Sequence, residues 1–114
     1  MSNITEGKKA FFAQDYETAL SLLLPLAQKQ DAEAQCLVGC MYQLGFGVEV
    51  DSLEAAKWYR KSSLQGYGVA SNNLAGMLLT GSDSVPVSKV EADKLFCIAR
   101  EQGFVHAPIS SGYL

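Results

Sequence analysis

Apolar residues recur three and four positions apart along most of this chain, and Gly, Asp and Pro break the rhythm at intervals. The pattern predicts six helices. The first runs from about Ile4 to Ala13 and ends at a Gln14-Asp15 turn. The second spans Tyr16 to Gln30, with Ala19, Leu22, Leu23, Leu26 and Ala27 as its apolar stripe. Pro25 lies inside that run and predicts a kink. The third covers about Ala32 to Leu44, buries Ala34, Leu37, Val38, Met41 and Tyr42, and stops at Gly45-Phe46-Gly47, where either glycine can turn left-handed. The fourth follows Asp51, carries Ala55, Trp58, Tyr59 and Ser62 on one stripe, and ends before Gly66. The fifth spans about Val69 to Thr80. After the Gly81–Val87 loop, the sixth runs to about Gln102. Asp51-Ser52-Leu53-Glu54 and Ser88-Lys89-Val90-Glu91 both read as reciprocal capping boxes. No alternating stretch is long enough to predict a strand.

The helical segments repeat. Ala34, Val38, Gly39, Tyr42 and Gly45 align with Ala70, Leu74, Ala75, Leu78 and Gly81 at a shift of 36 residues. Ala55, Tyr59, Gln65 and Gly66 align with Ala92, Phe96, Gln102 and Gly103 at a shift of 37, because the second loop is one residue longer. Ala19, Leu23, Leu26 and Ala34 align in turn with Ala55, Tyr59, Ser62 and Ala70. A period of this length marks stacked supersecondary units, which usually present a binding surface. Gly39 costs a helix about 0.8–1 kcal/mol relative to Ala. Its counterpart is Ala75, the next smallest residue, so both positions are read as places where a neighbouring helix comes close.

Ala34-x-x-x-Val38-Gly39-x-x-Tyr42-x-x-Gly45-x-Gly47-Val48-x-x-Asp51, followed by Ala55-x-x-Trp58-Tyr59 and Gln65-Gly66, resembles the Sel-one-like repeat, a branch of the tetratricopeptide repeats. The unit after it looks like an eroded copy, without the Gly-x-Gly-Val loop and with Leu78 for the tyrosine. The first unit, Gly7-x-x-Ala10-Phe11-x-x-Gln14-Asp15-Tyr16-x-x-Ala19, is closer to a plain tetratricopeptide repeat. The resemblance covers about Ile4 to Ala107. It implies an all-α fold: a right-handed solenoid of three antiparallel helix pairs, in units of about 4–31, 32–68 and 69–107 with a tail at 108–114. It implies a non-enzymatic adaptor, often bacterial, that holds a protein or peptide on its concave face. No catalytic residue and no cofactor come with it.

Composition narrows the reading. The chain has 114 residues, is 48% hydrophobic and 18% charged, and carries a net charge of −3. Those values fit one globular domain rather than a disordered segment. Lys and Arg are scattered singly or in pairs, which leaves no basic footprint for nucleic acid. No apolar run is long enough for membrane insertion, and the N-terminus lacks a signal-peptide pattern. Three cysteines, an odd number, suggest reduced thiols and a cytoplasmic location, or a periplasmic one if a leader has been removed.

Candidate chemistry is sparse. Cys36 and Cys40 stand four apart on one helix face, the spacing of a thiol-redox or metal pair. With only Cys97 and His106 to join them, a metal centre of four ligands is not expected, and packing is the stronger reading. His106 has no triad pattern around it, and Gly45-Phe46-Gly47 lacks the strand and lysine of a phosphate loop. Carrying the resemblance over, the first helix of each pair would line the groove. The partner-binding residues that the resemblance implies are then Lys8 and Phe12 in the first unit, Glu33, Cys36, Cys40 and Gln43 in the second, and Asn72 and Thr80 in the third. Leu95, Phe96 and Ile98 near the C-terminal end suggest a second possibility, self-association into a homodimer through an uncapped end.

Overall fold

The computed structural model describes residues 4–82 and 84–103; the tail and His106 lie outside them. Six helices form, α1 (Ile4–Phe12), α2 (Tyr16–Gln28), α3 (Ala32–Leu44), α4 (Ser52–Leu64), α5 (Gly68–Thr80) and α6 (Lys89–Glu101), and no strand occurs among the described residues. Each helix packs on the next in the chain: α1 on α2, α3 on α4 and α5 on α6 within pairs, then α2 on α3 and α4 on α5 between them.

Short polar side chains start four of the helices. The carboxylates of Asp15, Asp31 and Asp51 accept the backbone N–H groups of Thr18, Ala34 and Glu54, and the Ser88 hydroxyl accepts that of Glu91. The capping boxes are not reciprocal, however. The Glu54 carboxylate instead accepts the indole N–H of Trp58 at 3.1 Å, and Glu91 pairs with Arg60 at 2.5 Å. The N–H groups those carboxylates would have capped are already taken, Asp51 by the Tyr42 carbonyl at 2.9 Å and Ser88 by the Leu78 carbonyl at 2.8 Å. α5 begins one residue earlier than the patterning suggests, at Gly68, and has no side-chain cap.

α2 continues three residues past Pro25, whose ring is exposed. It ends at Gln28 rather than Gln30 because Gln30 turns left-handed, at φ 74°. Gln30 occupies the place that Gly66 (φ 91°) and Gly103 (φ 97°) hold in the later units. A side chain there costs about 1–2 kcal/mol relative to glycine. The turn nevertheless lets the Asp31 N–H reach the Leu26 carbonyl, as the Tyr67 N–H reaches Ser62 after α4.

The repeated Gln-Gly pair has a structural role. At the end of α4, Gln65 donates to the Gln35 side chain of α3 at 2.9 Å. At the end of α6, Gln102 accepts from the Ser71 hydroxyl of α5 at 2.7 Å. The glutamine thus ties the last turn of each second helix to its own first helix, and the glycine turns the chain away.

The core has two centres. Leu23, Ala27, Val38, Met41 and Trp58 join the first and second pairs; Tyr59, Leu74, Leu78, Leu95 and Phe96 join the second and third. The adjacent residues Trp58 and Tyr59 therefore serve different centres from one helix. Gly39 makes this possible: a Cβ built there would lie 2.8 Å from the Tyr59 ring. Ala75 is fully buried in the same cluster as Phe96, its counterpart pair. Leu95 and Phe96 turn inward, so of the three residues read as an exposed apolar end only Ile98 reaches the surface.

Candidate functional site

The first helices of the three pairs converge on one cavity of about 400 Å³, lined by Phe11 and Phe12 of α1, Cys36, Leu37 and Cys40 of α3, Phe46, and Val69 and Asn73 of α5. The loop after α3 supplies its aromatic edge. Gly47 sits at φ 77°, and a Cβ there would lie 2.8 Å from Cβ of Tyr16, so the loop presses against the first unit as only glycine allows. That contact stacks Phe46 on Tyr16 with centroids 4.5 Å apart and brings it edge-on to Phe11 at 6.1 Å.

At the cavity, Asn73 Nδ2 donates to the Cys36 sulfur at 3.9 Å; farther along α3, Gln43 Oε1 accepts the Tyr59 hydroxyl at 2.6 Å. Asn73 is almost wholly buried, and its Oδ1 has no hydrogen-bond partner. An unmatched buried acceptor costs about 1–3 kcal/mol.

The thiols are poor nucleophiles here. Burial pushes the Cys36 thiol far up, and its electrostatic coupling to the neighbouring Cys40 and Glu33 pushes it further. Burial also raises Cys40 to about 11, against a smaller opposing hydrogen bond from Tyr59. A raised thiol favours the folded state only while protonated, so this contribution declines as pH climbs from about 9 through about 11. With a disulfide reagent at pH 8, the native protein is expected to lose one thiol quickly, the exposed Cys97, and the other two only on unfolding. Rapid modification of all three would refute the buried-thiol assignment. Among the described residues, no group of three or more His, Cys, Asp or Glu side chains is placed to hold a metal ion.

The residues singled out from sequence fall into separate places. Phe12 lies at the lip of the cavity and Cys36 and Cys40 on its floor. Lys8 and Glu33 form an ion pair at 2.9 Å between α1 and α3. Gln43 and Thr80 meet farther along, at a recess of about 240 Å³ shared with Leu44 and Met77. Asn72 is fully buried and lines none of these; the amide at the cavity is its neighbour Asn73. Leu37, Phe46, Val69 and Asn73 were not foreseen. The 36-residue shift aligns Asn72 with Cys36 and Asn73 with Leu37, and both α3 residues line the cavity. Register therefore could not choose between the two asparagines.

The fold has known counterparts. A Sel1 repeat protein from Oxalobacter formigenes superposes with a TM-score of 0.81 at 33% identity, over 86% of this chain and 40% of that one. A protective antigen of uropathogenic Escherichia coli with an SLR fold gives 0.82 at 27% identity, over 85% of this chain and 22% of the antigen. This chain thus spans less than half the length of either. No curated protein matches it. The Sel1 repeat profile matches residues 32–67 and 68–104, the second and third helix pairs. With two matched repeats across well over half its length, the chain belongs to the Sel1 repeat family.

Proposed function

We propose that this chain is a non-enzymatic adaptor that holds a segment of a partner protein on the face shared by its three first helices. Sel1 repeats generally serve as protein–protein interaction modules. The observation that carries the reading is the cavity itself: one helix from every pair contributes to it, and its walls are apolar and aromatic. That combination suits an apolar anchor residue carried by a short segment, and a few such contacts supply most of an interface's energy. Lys8, Glu33, Gln43 and Thr80 would flank the segment rather than anchor it.

Site-specific photo-cross-linking tests this. A photoreactive residue at Phe12, which is 71% exposed, should capture a discrete partner from native cells, whereas one at Glu17 on α2 should not. Phe12→Asp should abolish capture and leave the melting temperature nearly unchanged, because the ring is already in water. Equal capture from both positions, or capture by Phe12→Asp, would count against the reading. Replacing Gln43 and Asn72 is a poor alternative test: one accepts the Tyr59 hydroxyl and the other is buried, so folding would suffer first.

Self-association through the C-terminal end is a weaker reading. Leu95 and Phe96, two of its three residues, belong to the core. A thiol-redox role is weaker still, since both paired thiols are buried and held protonated.

A further inference from the structure

The second helix of the middle pair carries an outward stripe that the repeat does not require. Leu53, Lys57, Arg60, Lys61 and Leu64 are spaced so as to share one face of α4. At the places of Lys57, Arg60 and Lys61, α2 has Ser21, Leu24 and Pro25, and α6 has Lys94, Cys97 and Ile98. A residue type needed by the architecture would recur in the other units. The three clustered cations occur on α4 alone.

This stripe forms one wall of a second cavity, of about 530 Å³, away from the first. The opposite wall is the loop before α6, with Val85, Pro86 and Ser88, and the floor is Ala56, Trp58 and Leu78. The loop is fixed by two bonds: Ser82 N–H donates to the Val85 carbonyl at 2.7 Å, and Val85 N–H to the Ser82 hydroxyl at 3.2 Å. Leu53 and Leu64 lie at the two ends of the stripe, and Leu64 is 83% exposed. Leu64 lies eleven helical steps beyond Leu53, so the trough is about 16 Å long, room for three helical turns or five extended residues of a partner.

Its charges are unevenly committed. The Glu54 carboxylate accepts the Trp58 indole N–H, and Glu91 is paired with Arg60. Lys57 and Lys61 have no carboxylate partner among the described residues, and the Lys61 ammonium lies 4.8 Å over the Trp58 ring. Three cations against two acids make this trough net positive in a chain of net charge −3. A bare phosphate chain would satisfy the lysines and leave the leucines and the apolar floor wet. We infer that the α4–α6 trough docks an apolar segment that carries carboxylates, supplied by a second protein partner. It is independent of the first cavity and would let one short chain hold two partners.

Trp58 is the only tryptophan and lines the trough, so its emission reports occupancy. The probe is a short amidated peptide of leucine and glutamate at helical spacing, compared with its lysine-for-glutamate counterpart and with an oligothymidylate. The acidic peptide should shift Trp58 emission saturably and more weakly at high salt. Lys57→Glu together with Lys61→Glu should weaken it about tenfold or more. Lys57→Glu alone, which leaves the Lys61–Trp58 contact in place, should show part of that loss with an unchanged circular dichroism spectrum. Equal response to the lysine peptide or the oligothymidylate, no saturable response, or indifference to charge reversal would each overturn the assignment. A concentration-dependent shift without peptide would overturn it in favour of a second copy of this chain. Phe12→Asp should leave this titration unaltered, which separates its outcome from that of the first cavity.

Discussion

Tyr59→Ala is expected to destabilise the protein by about 3–5 kcal/mol. The ring is fully buried at the junction of the second and third pairs, against Gly39 on one side and the third unit's core on the other. Truncation opens a cavity there and also strips Gln43 Oε1 of its donor. For a chain of this length, each kcal/mol corresponds to roughly 4 °C, so the melting temperature should fall by roughly 12–20 °C. Tyr59→Phe separates the two contributions: it keeps the ring and loses only the hydroxyl bond, at about 1 kcal/mol. A drop of a few degrees for Tyr59→Ala would mean that the two halves of the stack do not depend on this ring.

Gly39→Val produces the second large effect from the opposite direction. The new Cβ would meet Tyr59 ring carbons at 2.8 and 2.9 Å and the Ala55 carbonyl oxygen at 3.3 Å, and the branch adds bulk beyond it. Removing a glycine from a helix is worth up to about 1 kcal/mol, but overpacking costs typically 1–3 kcal/mol and here displaces a wholly buried ring. The net loss should be about 2 kcal/mol. Because the penalty is steric and directed at one side chain, it should largely disappear when Gly39→Val is introduced into Tyr59→Ala. Denaturant melts of the four proteins provide the cycle. Additive losses would show that Gly39 is small for some reason other than Tyr59.

These two residues show how far the repeat could be read. The small residue at position 39 and its counterpart Ala75 predict close approach in both units, and the structure supplies the rings that approach. The helix positions were legible for a similar reason: apolar spacing, Asp or Ser caps and glycine stops act over a few residues. The reciprocal halves of the capping boxes were not legible. The Asp51 and Ser88 N–H groups that would reciprocate pair instead with the Tyr42 and Leu78 carbonyls of the preceding helices, which depends on tertiary placement. Of the residues assigned to the groove from sequence, Phe12, Cys36 and Cys40 reach the cavity. Asn72 does not reach it: the two neighbouring asparagines align with two cavity-lining residues of α3, both are buried, and only the rotation of α5 decides which one lines the cavity.

By itself, then, the sequence determines the all-helical repeat and the small residues at its contacts. Those properties follow from local periodicity and from backbone preferences that neighbours in the chain enforce. Tertiary structure alone decides the surfaces. It presses Phe46 back onto Tyr16, withdraws Leu95 and Phe96 into the core, and leaves Asn73 with an unmatched acceptor. It also gathers Lys57, Arg60 and Lys61 against an apolar loop some 25 residues later in the chain. The physical reason is common to all four: a side chain's exposure and charge environment depend on what the next helix pair places beside it, and that separation is far beyond any local pattern.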